Sequence, residues 1–134
     1  MVIQENNRRI ERERVLSLLY EAEMKDCDVS QIIESLPVKP ESFVSETASK
    51  VSASRSELDS SIERYAIKWN VERMASLDRN VLRIGAWELQ NRPELSVALV
   101  ISEAVELAKR FSTEESGKFV NGILSSMADD VRRS

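Results

Sequence analysis

Residues 97–127, VALVISEAVELAKRFSTEESGKFVNGILSSM, decide the fold of this chain. In the first half of the stretch, apolar side chains recur every three or four positions, which is the spacing of a helix with a broad apolar face. Because such a face is too wide for one neighbour, residues 97–111 are predicted to form a central helix. The polar residues between the apolar ones are predicted to face water, among them Glu103 and Glu106.

The second half of the stretch predicts another helix directly after the first. Ser112, Thr113 and Glu115 fit a capping box, in which a serine and a carboxylate three residues later satisfy each other's backbone donors. The helical spacing of apolar residues then continues over residues 119–127. Gly122 is therefore predicted to lie inside this helix, although glycine costs up to about 1 kcal/mol there relative to alanine.

The remaining chain shows the same helical periodicity. Asn6 or Asn7 is predicted to cap a first helix that runs to about residue 24, and Ser76 or Asp78 is predicted to cap a later one. Trp69 is predicted to anchor the core. No stretch alternates with a two-residue period for long enough to form a strand. The sequence therefore predicts one all-α domain of about seven helices joined by short connections.

Length and composition restrict the class of protein. The 134 residues, 42% apolar and 31% charged, suit one domain with a hydrophobic core. The longest apolar run, residues 97–101, is far too short to cross a bilayer, and the N-terminus lacks the apolar segment of a signal peptide. A single cysteine, Cys27, agrees with a reducing compartment. We therefore expect a cytoplasmic protein that has no membrane association.

The absence of histidine from the sequence argues against catalysis. It excludes Ser/His and Cys/His nucleophile pairs and most zinc sites. Paired carboxylates such as Glu103 and Glu106 would remain, but they lie beside lysine and arginine on an arc that is predicted to be solvated. The sequence therefore predicts that the protein is not an enzyme and that it holds neither a metal nor another cofactor.

Charge is distributed unevenly along the chain, whose net charge is −4. Arg8, Arg9 and Arg12 crowd the predicted start of the first helix, where the helix dipole is already positive and acidic residues are favoured. A cluster that violates a local rule without visible compensation is where function is expected. A solvated, charged helix end is the alternative interpretation of the same residues.

Three motifs stand together in order and spacing. They are Arg8-Arg9 with Arg12-Glu13 and Leu19-Tyr20; Trp69 and Arg73 with residues 78–84 (DRNVLRI) and 87–89 (WEL); and residues 103–109 (EAVELAK) with residues 118–124 (KFVNGIL). This combination resembles the NusB family of bacterial transcription antitermination factors. The resemblance covers nearly the whole chain and is dense after Trp69, whereas residues 25–56 carry almost none of it.

The resemblance implies a fold of two packed helical subdomains within a single NusB-like RNA-binding domain, about residues 1–69 and 70–134. It also implies a function. Members of this family bind the boxA element of nascent ribosomal-operon RNA, as a single strand, together with the ribosomal protein NusE. The complex joins other Nus factors on RNA polymerase, which then passes terminators. We expect the same of this chain.

The resemblance also assigns roles to individual residues. Residues that match the family's RNA-binding motifs are Arg8, Arg9, Arg12, Tyr20, Lys118 and Phe119. Arginine and lysine would hold phosphates, and Tyr20 would stack on a base. Asp78 and Arg79 match a region implied in contacting NusE. Two alternatives stay open, since Phe119 would serve equally well as core and Asp78 as a helix cap.

A second function class also fits the sequence. A helical adaptor that only docks protein would carry the same apolar faces and would show no preference for boxA over a scrambled strand. The wide apolar faces serve a core or a dimer equally well, so that the protein is expected to be a monomer or a homodimer.

Overall fold

The computed structural model describes residues 2–67 and 70–132, with side chains from Asn7 onward. Within these ranges it is helical and contains no strand, which confirms the predicted all-α class. Trp69, predicted to anchor the core, lies outside the described residues. The elements are α1 (Val2–Met24), α2 (Val29–Ser35), α3 (Ser42–Ala53), α4 (Arg55–Tyr65), a 3-10 turn (Val71–Arg73), α5 (Ser76–Asn91), α6 (Val97–Phe111) and α7 (Glu114–Val131).

The contacts divide the chain into two compact units, with the division between Ser54 and Arg55. The division predicted from the sequence lies later, near residue 69. It lies earlier in the structure because α4 packs against α5 and α7 and therefore belongs with the second unit.

In the first unit, α1 packs against α2 and α3. Its buried side chains lie on the face that the helical spacing predicts, and they are Val15, Leu16, Leu18, Leu19 and Ala22. The prediction that Asn6 or Asn7 caps this helix was wrong, because α1 already begins at Val2. No glycine or proline interrupts the residues before Asn7, so the helix continues through them.

In the second unit, α5 and α7 each pack against the other three α-helices, and α5 carries the longest buried stretch. All ten residues from Asn80 to Leu89 are buried. A Cβ atom on Gly85 would lie only 2.6 Å from Leu124 Cδ1 and 3.5 Å from Ala104 Cβ. Glycine therefore lets α6 and α7 approach α5 closely. The prediction that α6 is the central helix was wrong, because α6 packs mainly against α5 and α7, whereas those two helices also pack against α4.

Charged side chains also enter this core. Arg83 on α5 donates from Nε and Nη2 to the two carboxylate oxygens of Asp59 on α4, at 2.7 and 2.9 Å. Glu103, predicted to face water, is only 6% exposed. It lies three residues after Val100 and four before Leu107, both buried, so the apolar face of α6 carries it inward.

The C-terminal end of α7 is tied to the loop that joins α5 to α6. Arg132 donates to the carbonyl oxygens of Leu89, Arg92 and Leu95, at 2.7, 3.0 and 2.9 Å.

Among the helices that the structure describes, none combines the length and the apolar character needed to cross a membrane.

Candidate nucleic-acid interface

The predicted RNA-binding arginines lie on α1, and the structure separates them by depth. Arg8 and Arg9 are exposed, whereas Arg12 is only 4% exposed. We call these three residues the arginine face. Arg8 and Arg12 stand one turn apart on the helix, and both guanidinium groups lie over the ring of Phe43 on α3.

Arg8 makes two contacts that restrain its side chain. Its guanidinium carbon lies 4.0 Å from the centre of the Phe43 ring. One nitrogen, Nη1, donates to Glu11 Oε1 at 2.9 Å. The side chain remains 46% exposed, while that of Glu11 is 14% exposed. Arg8 is therefore held in place without being covered, and the carboxylate of Glu11 offsets part of its charge.

Arg12 occupies a different environment. Its guanidinium carbon lies 5.8 Å from the centre of the Phe43 ring, and the residue is nearly fully buried. At this depth the guanidinium presents little surface to an external phosphate. Its position therefore favours a supporting role within the first unit over a direct phosphate contact.

The predicted contribution of the helix dipole to this site is not present. Because α1 begins at Val2, Arg8 lies in the second turn of the helix rather than at its first residue. The dipole acts on charges mainly within the first turn, where the backbone N–H groups have no helical partner. The positive charge of the arginine face therefore comes from its side chains.

Tyr20 lies on the same helix and is 38% exposed. Eleven residues separate it from Arg9, which corresponds to about 16 Å along the helix axis and about 20° around it. Arg9 and Tyr20 therefore point to the same side of α1. A cation and an aromatic ring on one line suit an extended single strand, because phosphates bind the first and unstacked bases bind the second.

The remaining predicted residues lie in the second unit, where two of them, Asp78 and Phe119, line a recess of about 350 Å³. It is lined by Arg73, Met74, Ala75, Asp78, Thr113, Glu115, Ser116 and Phe119. We call it the Asp78 recess. The first turns of α5 and α7 form much of its wall, which brings Asp78 and Phe119 together.

Asp78 does not serve as a helix cap. The N-cap of α5 is Ala75, so the predicted caps Ser76 and Asp78 both lie inside the first turn. Oδ2 of Asp78 accepts a hydrogen bond from Ser116 Oγ at 3.0 Å. Its other oxygen, Oδ1, is buried and finds no hydrogen-bond donor in the described part of the chain. The hydrogen-bonding capacity of this buried oxygen is therefore not used by the described residues.

Ser116 is fixed by the start of α7. Thr113 caps this helix by accepting from the backbone N–H of Ser116 at 3.0 Å, and its hydroxyl also lies 2.9 Å from that of Ser116. The sequence predicted Ser112 as the capping serine, one residue too early. Ser112 instead places its hydroxyl 3.0 Å from the same Ser116 oxygen.

The other predicted residues of this unit differ in exposure. Arg79 is half-buried and donates to the carbonyl oxygens of Glu72 and Met74, at 3.3 and 2.9 Å. Lys118 is 77% exposed, with Nζ 3.5 Å from Glu115 Oε1. Phe119 is half-buried at the wall of the recess. Arg79 therefore holds the 3-10 turn, while Lys118 is open to an anionic ligand.

Comparison with known proteins gives a consistent family. Residues 9–129 match the model of the NusB family. The chain is 41% identical over 128 residues to the transcription antitermination protein NusB of Sorangium cellulosum, covering 91% of each chain. It is 33% identical over 129 residues to that of Bacillus subtilis, covering 95% of this chain and 98% of the relative.

Solved structures give the same result. T. maritima NusB superposes with a TM-score of 0.80 at 38% identity, covering 92% of this chain and 91% of that chain. A crystal structure of the antitermination factors NusB and NusE in complex with double-stranded RNA superposes with a TM-score of 0.78 at 25% identity, covering 92% of this chain and 96% of that one.

Proposed function

Because this chain belongs to the NusB family of transcription antitermination proteins, we propose that it binds the boxA element of nascent ribosomal-operon RNA together with the ribosomal protein NusE. In this proposal the complex then joins other Nus factors on RNA polymerase in the cytoplasm and lets the polymerase pass terminators. The observation that carries the proposal is the match over residues 9–129, which includes both Arg9 and the Asp78 recess. It gives the chain a role in antitermination rather than in catalysis.

The arginine face supports the RNA-binding part of this function. Arg8 and Arg9 are exposed on α1, and Tyr20 follows on the same helix. With Lys118, three exposed cations would contact phosphates, which predicts a slope of about −2 for the logarithm of affinity against that of salt concentration. Such a slope is modest, as expected for an acidic protein that has few exposed cations to contact phosphates.

The Asp78 recess supports the NusE part. Asp78 is half-buried in the lining of the recess, and a carboxylate in that position suits a basic group of a protein partner. Phosphates of RNA would be repelled by the same carboxylate. NusE is therefore proposed to contact the second unit at Asp78 and Arg79.

The RNA part is tested by a gel shift that compares boxA RNA with a scrambled strand of equal composition, at stated salt, with and without NusE. Arg9→Ala should weaken boxA binding. Lys25→Ala is the matched control, because Lys25 is an exposed cation directly after the C-terminal end of α1, sixteen residues beyond Arg9. Equal affinity for both strands, with and without NusE, would instead identify the protein as a docking adaptor.

Glu11 provides a test in the opposite direction. Its carboxylate lies 2.9 Å from Arg8 Nη1 and reduces the positive potential of the arginine face. Glu11→Gln should therefore raise RNA affinity at low salt, and the gain should shrink as salt is added. An unchanged affinity at low salt would argue that Arg8 does not contact the RNA.

A further inference from the structure

We propose that Phe43 is a positioning residue for RNA binding, which holds the Arg8 guanidinium ready to stack on a nucleobase of single-stranded RNA. This inference rests on the proposed function. Phe43 lies in the segment 25–56, which carries almost none of the family resemblance. The guanidinium carbons of Arg8 and Arg12 both lie over its ring, at 4.0 and 5.8 Å from the ring centre.

The arrangement leaves one side of Arg8 available. The Phe43 ring covers one face of the guanidinium, and Glu11 holds its Nη1 edge. The side chain is nevertheless 46% exposed. A guanidinium plane accepts an unstacked base in the same way as an aromatic ring. The open face of Arg8 therefore suits a base, and its remaining N–H groups suit the adjoining phosphate.

Holding the guanidinium in advance matters because arginine has high rotamer freedom. An exposed arginine loses this freedom when it binds RNA, and that loss subtracts from the affinity. Contact with the Phe43 ring restricts the side chain before RNA arrives. Arg12 lies over the same ring at 4% exposure, which fixes the neighbouring turn of α1.

Phe43 acts through Arg8 rather than by touching RNA. The residue is only 8% exposed, so its ring offers little surface to a base. Its effect on binding should therefore depend on the presence of the arginine. This dependence separates positioning from a general contribution to the fold.

The test uses Phe43→Leu, which keeps an apolar side chain but removes the ring. Phe43→Tyr retains the ring and serves as the conservative rescue. Val51→Ala is the control for packing, because Val51 is a buried residue on the same helix α3 that takes no part in the arginine contacts described. Each variant is checked by its thermal melt, and affinity for boxA RNA is then measured below that transition.

We expect Phe43→Leu to weaken RNA binding about two- to fivefold, the range of an exposed cation–π contact. Phe43→Tyr and Val51→Ala should bind as the wild type does. In an Arg8→Ala background, Phe43→Leu should add no further loss. The Arg8 side-chain protons should also lose their upfield ring-current shift in the NMR spectrum of Phe43→Leu, which reports the contact independently of RNA.

The results separate this inference from the proposed function. If Arg8→Ala binds RNA as well as the wild type, an RNA contact by Arg8 is refuted, and the role of Phe43 with it, while Arg9→Ala still tests the proposed function. If Arg8→Ala weakens binding but Phe43→Leu does not, only the role of Phe43 is refuted. An equal loss with Val51→Ala, or a full additional loss in the Arg8→Ala background, would also refute positioning.

Discussion

Replacing Arg12 and Arg9 separately by alanine should affect two different properties, stability and RNA affinity, although both residues match the RNA-binding motif of the family. Arg12 is 4% exposed over the Phe43 ring, whereas Arg9 is exposed on the same helix. Arg12→Ala should therefore lower stability, and Arg9→Ala should lower RNA affinity. The structure distinguishes between residues that the sequence motif treats as equivalent.

The size of the stability effect follows from burial. Removing a large side chain from a packed interior costs about 2 to 5 kcal/mol, and part of this cost for arginine is lost packing of its apolar stem. For a chain of this length, about 3 to 5 °C of melting temperature corresponds to 1 kcal/mol. Arg12→Ala should therefore lower the melting temperature by about 6 to 25 °C. Arg9→Ala, as a surface change, should shift it by less than about 3 °C.

The assay is thermal unfolding followed by circular dichroism, combined with RNA titration at a temperature where each variant is folded. Arg12→Met separates packing from charge, because it keeps an unbranched apolar stem and removes the cation. If Arg12→Ala melts with the wild type but binds RNA as poorly as Arg9→Ala, the guanidinium of Arg12 is a direct RNA contact. The reasoning from burial would then be refuted.

Three further predictions concern the second unit. Gly122→Ala should raise the melting temperature, because a Cβ atom there meets no other atom within 4 Å and alanine gains up to about 1 kcal/mol of helix propensity over glycine. Gly85→Ala should lose that gain, because its Cβ atom would lie 2.6 Å from Leu124 Cδ1. Equal melting temperatures for the Gly122→Ala and Gly85→Ala variants would contradict this prediction. Asp78→Asn should weaken NusE binding, measured by calorimetry, while RNA affinity in the absence of NusE stays unchanged. The hydrogen bond that Tyr65 donates to Asp130 raises the pKa of Tyr65. This interaction should therefore stabilise the fold below pH 10, and the stabilisation should be lost as pH rises through the raised pKa. Asp130→Ala should lower the pKa of Tyr65 in an absorbance titration.

The helices could be predicted because their signals are local. Helical spacing placed the buried face of α1, and Pro37 and Pro93 follow the ends of α2 and α5. Depth within the core could not be predicted, because it depends on which helices meet. Glu103 shows the difference, since the sequence pattern grouped it with the polar residues of α6, whereas its place between the buried Val100 and Leu107 turns it inward.

The candidate site shows the same limit. The sequence identified Arg8 and Arg12 as a pair, but it contained no signal that Phe43, more than thirty positions later, would lie beneath both. It likewise placed Asp78 near a helix start without showing that Ser116 would bind one of its oxygens. Contacts between helices decide these environments, and one sequence does not record them.

The two candidate surfaces differ in charge, and this difference favours a different proposed partner for each. The arginine face carries exposed cations, which suit a polyanion such as RNA, while the Asp78 recess carries a carboxylate, which suits a basic protein. Both interactions should weaken as salt is added, but they depend on different residues. Loss of Arg9 should reduce the salt slope of RNA binding by about 0.7 and leave that of NusE binding unchanged. Asp78→Asn should weaken the salt dependence of NusE binding and leave the salt slope of RNA binding unchanged, because the proposed partner of Asp78 is a basic protein.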